Sequence, residues 1–196
     1  ILASIVKQKG GQIGILDLNA LRMKYDGNQV PSQFIAEEIS SEKWDIIGIG
    51  GLTTTYARIK QLAPLIRKHA PDSLFVGGGG WSTYNPTEIL ELVPELDLIV
   101  IGEGEETFGE IYDQVKNGSK DFENVNGLCL RDTHLGYKFT APRALIPDLN
   151  TIPYPAYDLM ELEIYFKHSA IGLSLDSFNS KRRVSTVWER GCPRGC

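Results

Sequence analysis

The chain has 196 residues, of which 42% are hydrophobic, 23% are charged and 20 are glycine. This composition is typical of a folded globular protein and argues against disorder. Twenty basic and 25 acidic residues give a formal charge of −5 without a basic block, which argues against nucleic acid and anionic membranes as partners. No apolar run approaches the ~18 residues of a membrane-spanning helix and no signal peptide opens the chain, so we expect a cytoplasmic protein.

The opening stretch ILASIVKQKGG predicts an amphipathic helix that ends at Gly10. Because this stretch has no initiator methionine, we expect the chain to be a piece of a longer protein. One β-strand would then precede the helix and lie near the middle of the sheet.

Strand-like runs then alternate with helical patterns. Strands are predicted at 12–18, 44–50, 73–78 and 97–102, and helices near 31–42, 55–69, 86–93 and 105–117. The strand runs are apolar at both alternating positions, which is typical of strands covered by helices on both faces. The repeat of about 25–30 residues matches a βαβ unit. We therefore predict an α/β fold with an open, mostly parallel, doubly wound sheet of the flavodoxin or Rossmann-like kind.

The pattern changes after residue 118. Residues 125–132 and 136–142 predict a β-hairpin that turns near His134. A segment with several prolines follows and suits an extended linker. The run RRVSTVWERG (182–191) predicts a new strand. We therefore divide the chain into an α/β domain (1–120), a hairpin with a linker (121–181) and the start of a further domain (182–196).

Three successive predicted strands end in glycine-rich turns, at 48–55, 77–83 and 102–107. The carboxyl ends of parallel strands lie along one edge of the sheet, so these turns are expected to converge on one crevice. Glycine lets a ligand approach the backbone, and free amides at helix starts can bind its oxygens. Each single turn is also compatible with a tight turn that binds nothing, so the convergence is the informative feature.

The residues leave the ligand's identity open. Asp17 is placed to serve as the acidic residue of a dinucleotide site, but the matching glycine motif is not in the chain. A Walker-type phosphate loop is absent from the sequence. His69 lies at the end of a predicted helix, His134 in the predicted hairpin and His168 in the linker, so all three are expected to be surface or packing residues.

The order of these segments resembles the N-terminal half of cobalamin-dependent radical S-adenosylmethionine enzymes, a group that includes the anaerobic magnesium-protoporphyrin monomethyl ester oxidative cyclase. The resemblance is carried by LASIVKQKGGQIGILDLNA, WDIIGIGGLTTT, IRKHAPDSLFVGGGG, DLIVIGEGEETFGEI, VNGLCLRD, IPYPAYDL and ERGCPRGC. It implies a cobalamin-binding domain without a protein histidine on the cobalt. The cofactor-binding positions that it implies are Thr53, Thr54, Thr55, Gly78, Gly79, Gly80, Trp81, Gly102, Glu103 and Gly104.

The same resemblance concerns two of the three cysteines. Cys192 and Cys196 match the first two positions of a CxxxCxxC motif, whose three thiolates hold a four-iron four-sulfur cluster that binds S-adenosylmethionine. Two thiolates form an incomplete set, so the resemblance implies no catalytic residue in these 196 residues. The substrate would bind to a domain outside the chain. Cys129 alternates with leucines in the predicted hairpin and is expected to be a packing residue.

Two other functions remain possible from the residues. A flavodoxin-like interaction or regulatory module without cofactor explains the strand and helix alternation, but not the converging glycines. A methylthiotransferase-type radical enzyme would carry three cluster cysteines before the CxxxCxxC motif, whereas only Cys129 precedes Cys192 here.

Overall fold

The computed structural model describes residues 1–25, 27–132, 134, 136–167 and 190–191. The chain divides into two compact units, one of Ile1–Leu16 with Pro31–Ala156 and one of Asp17–Val30 with Tyr157–Cys196. Within the described ranges, no helix is long and apolar enough to cross a membrane.

The described elements alternate between helix and strand through most of the chain. In order they are α1 (Leu2–Gln8), α2 (Leu18–Lys24), α3 (Ser32–Ser40), β1 (Ile46–Gly50), α4 (Tyr56–His69), β2 (Leu74–Gly78), α5 (Pro86–Leu92), β3 (Leu98–Val100), α6 (Glu105–Lys116), β4 (Leu128–Asp132), β5 (Gly136–Phe139) and α7 (Leu162–Lys167). The helices predicted near residues 1–10, 31–42, 55–69, 86–93 and 105–117 are confirmed.

The first unit is built on a five-stranded sheet in the order β1-β2-β3-β4-β5. β1, β2 and β3 are parallel, with Ile46 opposite Leu74 and Val76 opposite Leu98. β4 runs antiparallel to β3, and β5 antiparallel to β4. The predicted open α/β sheet with parallel strands is confirmed, and the predicted hairpin adds two antiparallel strands to it, so the sheet as a whole is mixed.

Helices cover both faces of this sheet because the strands alternate apolar side chains between the faces. One face packs its side chains against α6 and the segment that follows it. The buried residues of this cluster are Val76, Leu98, Val100, Ile111, Phe122, Val125 and Leu128. The opposite face includes Phe75, over whose ring the guanidinium of Arg67 in α4 lies at 5.9 Å.

The predicted strand at 12–18 is wrong. Residues 12–16 are in no strand, and among the described residues none makes a backbone hydrogen bond to them. A strand needs such a partner, however apolar its sequence. Asp17 then starts a helix, because its carboxylate accepts the backbone amides of Asn19 and Ala20 at 3.0 Å as an N-cap.

Cys129 is a core residue of β4, as the sequence predicts. It is fully buried and lies opposite Ile99 and Phe139 on the neighbouring strands. Burial raises the pKa of its thiol to about 11, so the thiol stays protonated at neutral pH. A protonated, buried thiol is a poor nucleophile and a poor metal ligand.

The described part of the second unit holds α2 and α7. The hydroxyl of Tyr165 in α7 donates a hydrogen bond to Asp17 Oδ2 at 2.6 Å. Desolvation, together with the carboxylate of Asp17, raises the pKa of Tyr165 to about 12. The carboxylate of Asp17 is therefore engaged by a helix cap and a phenol.

The outer edge of β1 is open among the described residues, because β1 pairs only with β2. The amide of Leu74 donates to Asp45 O, so Ile47 and Ile49 direct their backbone groups toward β2. The intervening residues Ile46 and Gly48 direct theirs outward. β1 also carries none of the lysines or prolines that commonly protect an edge strand.

This alternation gives a testable prediction for amide hydrogen exchange. We expect the amide of Gly48 to exchange at least about 100-fold faster than those of Ile47 and Ile49, because only the latter are hydrogen-bonded within the sheet. Exchange measured by NMR on the labelled chain checks this. Equal protection of all three amides would show that another strand pairs with β1 in solution.

Candidate functional site

The carboxyl ends of β1, β2 and β3 lie side by side and place three loops along one edge of the sheet. The strands end at Gly50, Gly78 and Val100. Neighbouring strands are about 4.8 Å apart, so the three loops line an edge roughly 10 Å across. The expected convergence of the glycine-rich turns is therefore present, and we call this row of loops the carboxyl edge.

The first loop, after β1, turns sharply and exposes hydroxyl groups. Thr53, Thr54 and Thr55 form one turn of 3-10 helix, and all three are exposed. The Thr55 hydroxyl donates to Leu52 O at 2.7 Å and fixes the turn. This arrangement leaves Thr53 and Thr54 directed at solvent beside the crevice.

The second loop, after β2, approaches the first backbone to backbone. Gly79 has a φ of +92°, and a Cβ at this position would lie 3.2 Å from Gly51 O. Any other residue would therefore be strained and would push the loops apart. Gly80 is different, because a Cβ there would meet no atom within 4 Å. Its α-carbon borders open space.

Trp81 packs against the end of β2 and stabilises the second loop. Its side chain is 5% exposed, and its indole Nε1 donates to Gly78 O at 2.8 Å. The ring packs near Tyr56, with centroids 6.4 Å apart, and above Gly77. Of the predicted cofactor-binding residues, Trp81 is thus the one that the structure buries beneath the loop.

The third loop, after β3, combines an open glycine with an anchored carboxylate. Gly102 has a φ of +74°, and a Cβ there would meet nothing within 4 Å. Glu103 Oε2 accepts the backbone amide of Ile146 at 2.7 Å. Gly104 caps the start of α6. Gly102 therefore faces open space, whereas Glu103 fastens a later part of the chain.

We call residues 140–156, the segment to which Glu103 is hydrogen-bonded, the strap. Arg143 holds it to α6 through hydrogen bonds to Thr107 Oγ1 at 3.0 Å and to Glu110 Oε1 at 2.9 Å. The bonds to Glu110 raise the pKa of Arg143 above its ordinary value. The Ser4 hydroxyl donates to Tyr154 O at 2.6 Å near the other end of the strap. The strap is thus a fixed neighbour of the third loop.

Sequence reasoning missed Thr83, which joins the second and third loops. Its hydroxyl donates a hydrogen bond to Gly79 O at 3.1 Å, and its oxygen accepts one from the backbone amide of Gly102 at 3.4 Å. The available signal is its place directly after a glycine run, because serine and threonine in turns often bind nearby backbone groups. The strap anchors Glu103 and Arg143 had no comparable local signal, since their partners are distant in sequence.

Large apolar side chains are exposed on the first loop, directly after the second loop and on the strap. Leu52 is 69% exposed on the first loop, Tyr84 is 86% exposed after the second, and Leu145 is 76% exposed on the strap beside Ile146. They are among the most exposed large apolar side chains of the described residues. The glycine-lined loops, exposed hydroxyls and apolar side chains together suit a large ligand that is partly apolar.

Histidine and cysteine are not found on these loops. His69 lies at the end of α4, where its Nδ1 is 2.9 Å from the Ser40 hydroxyl, and His134 is exposed between β4 and β5. His168, Cys192 and Cys196 fall outside the described residues, as does most of the predicted strand at 182–191.

Comparison with known proteins finds one matching family model and several relatives. The profile of the B12 binding domain matches residues 1–112. An uncharacterized methyltransferase of Pyrococcus horikoshii is 28% identical over 162 residues, which are 83% of this chain and 32% of that protein. The anaerobic magnesium-protoporphyrin IX monomethyl ester cyclase of Synechocystis is 28% identical over 151 residues, 77% of this chain and 28% of that protein. The chain thus spans about a third of the length of these relatives.

Solved structures with the same fold include two that have cobalamin bound. The radical S-adenosylmethionine methyltransferase TsrM from Kitasatospora setae, with cobalamin and a [4Fe-4S] cluster bound, superposes with a TM-score of 0.62 at 20% identity, over 76% of this chain and 26% of that one. The radical enzyme OxsB with aqua-cobalamin and S-adenosylmethionine bound superposes with a TM-score of 0.61 at 19% identity, over 74% and 19%. At this identity the likeness establishes the fold.

The buried indole of Trp81 gives a stability prediction. We expect Trp81→Phe to lower the free energy of unfolding by about 1–2 kcal/mol, because it removes a buried hydrogen bond while retaining most of the packing. Urea unfolding followed by circular dichroism measures this. Trp44→Phe is the control, since Trp44 is only half-buried. An equal loss in both variants would contradict a specific role of the indole nitrogen.

Proposed function

Because this chain belongs to the family of B12-binding domains, we propose that it binds cobalamin at its carboxyl edge and serves as the cobalamin module of a radical S-adenosylmethionine enzyme. The observation that carries this proposal is the open, glycine-walled edge formed by three parallel strands. Its backbone amides, exposed hydroxyls and apolar rim match the chemistry of a corrin ring with amide side chains.

The residues on the three loops are compatible with a bound cobalamin. Gly80 and Gly102 both border space that a side chain would enter, and Gly79 requires the absence of a side chain to keep two loops together. The hydroxyls of Thr53 and Thr54 are exposed on the adjoining loop. We propose that these glycines and threonines contact the cofactor, together with Gly78 and Gly104.

Trp81 and Glu103 have a different part in this proposal. The buried indole shapes the second loop, and the carboxylate of Glu103 holds the strap against the third. Both would then act on cobalamin binding by keeping the loops in place. Leu52, Tyr84 and Leu145 would supply the apolar contacts at the rim.

Bound cobalamin supplies a cobalt centre that can carry a methyl group or an electron. This chain's own contribution is to bind and orient that group and to limit the access of water to its bound face. In the described residues no histidine lies on the three loops, so the proposal places no protein imidazole on the cobalt.

We propose that the intact protein also uses S-adenosylmethionine and an iron–sulfur cluster. Cys192 and Cys196 would be two of its three cluster ligands, although they lie outside the described residues. The reaction would be methyl transfer or oxidative cyclisation, on a small molecule bound by a further domain. The likeness to a cyclase and to methyltransferases supports this choice.

The proposed organisation keeps the division into an α/β domain (1–120), a hairpin with a linker (121–181) and the start of a radical enzyme barrel (182–196). The open outer edge of β1 supports one further strand beside it, as expected from the sequence. We also propose a cytoplasmic protein without nucleic acid or membrane partners, which the net charge of −5 supports.

Titration with hydroxocobalamin tests the proposal. We expect the chain to retain the cofactor on gel filtration and to change its absorbance spectrum. Gly80→Ala should weaken binding a few-fold and Gly80→Val at least about tenfold, because larger side chains fill the crevice without straining the backbone. Asn117→Val, at the far end of α6, is the control and should bind normally.

The outcomes separate this proposal from a cofactor-free interaction module. Such a module would show no spectral change with any variant and would respond to Gly80→Val only in stability. If Gly80→Val and the unsubstituted chain bound cobalamin with equal affinity, the cofactor would not bind at this edge.

A further inference from the structure

We propose that Thr83 is a positioning residue that holds the second and third loops at the separation required for cobalamin. This inference rests on the proposed function and deepens it. It depends on a single hydroxyl group that bridges the second loop and the third loop.

The hydroxyl of Thr83 has the chemistry for such a bridge. It can donate one hydrogen bond and accept others at the same time. It donates to Gly79 O at 3.1 Å and accepts from the backbone nitrogen of Gly102, 3.4 Å away. Valine has almost the same shape as threonine but can neither donate nor accept a hydrogen bond. The substitution Thr83→Val would therefore remove the bridge with little change in side-chain volume.

The two residues that Thr83 joins are both glycines with positive φ. Gly79 has a φ of +92° and Gly102 of +74°. Glycine loses more conformational freedom on folding than any other residue, so each loop needs a restraint to keep one shape. A Cβ at Gly102 would meet nothing within 4 Å, so packing does not supply that restraint on its side-chain face.

Restraint of the second loop also comes from its own backbone. The amides of Ser82 and Thr83 both donate to Gly79 O at 3.2 Å, which closes the turn after the glycine run. The close approach of Gly79 to Gly51 then extends the link to the first loop. Thr83 therefore completes a chain of contacts across all three loops, and its hydroxyl is the step that reaches the third.

A preorganised site binds more tightly because less ordering is needed when the ligand arrives. Without the Thr83 bridge, Gly102 would sample other positions, and the amides of the third loop would have to be ordered by cobalamin. The expected consequence is weaker cofactor binding with little change in overall stability.

The experiment compares Thr83→Val with Thr83→Ser in the full 196-residue chain. Thr87→Val is the matched control, because the Thr87 hydroxyl donates to the neighbouring carboxylate Glu88 Oε2 at 2.9 Å in α5. The first readout is hydroxocobalamin affinity. We expect a loss of about tenfold for Thr83→Val, near-complete rescue by Thr83→Ser, and no loss for Thr87→Val. Thr83→Ala replaces Thr83→Val if the latter does not fold.

The second readout is hydrogen exchange of the Gly102 amide without cofactor. Thr83→Val should speed this exchange by about tenfold while leaving the amides of β2 and β3 unchanged, whereas a merely structural defect would speed exchange throughout the sheet. If the Gly102 amide exchanged equally fast in Thr83→Val and in the unsubstituted chain, the proposal that Thr83 restrains Gly102 would be wrong. Faster exchange with unaltered cobalamin affinity would overturn its role in binding.

This design separates the two proposals. Failure of the unsubstituted chain to bind cobalamin would refute the proposed function, while the exchange measurement would still decide whether Thr83 restrains Gly102. Binding by the unsubstituted chain with equal affinity in Thr83→Val would refute only the positioning role.

Discussion

The close backbone approach of Gly51 and Gly79 is the constraint on which the rest of the site depends. Two parallel strands end together, and their loops can meet only because Gly79 has no side chain and adopts a positive φ. The same absence of side chains leaves Gly80 and Gly102 beside open space. A crevice walled by backbone thus follows directly from parallel pairing combined with glycine at the strand ends.

Side chains from distant parts of the sequence then fix this crevice. Trp81 fills the space beneath the second loop, and Thr83 reaches from it to the third. Glu103 and Arg143 fasten the strap along the outside. Each of these four side chains is hydrogen-bonded to a backbone or side-chain partner, and these bonds hold the loops and the strap in place. The ligand would then be bound mainly by backbone, hydroxyls and apolar rim.

Much of the fold was predictable because strand and helix signals are local. Apolar runs followed by glycine identified β1, β2 and β3, and helical spacing identified α3 to α6. The run at 12–18 has the same apolar character but is not a strand, because a strand also needs a hydrogen-bonding neighbour. In the structure the carboxylate of Asp17 caps the start of a helix instead. For Thr83 the sequence offered only a weak hint, and for Arg143 none, because their partners are brought close by folding.

By itself, the sequence determined the α/β class, the convergence of three glycine-rich turns and the likeness to cobalamin-binding proteins. These features reside in periodicity and in short motifs, which need no knowledge of distant contacts. Only the tertiary structure decided that Trp81 lies beneath its loop, that Glu103 holds the strap and that Thr83 links two loops. Such roles depend on which atoms meet across the sheet edge, and pairing between residues far apart in the chain is a property of the folded backbone.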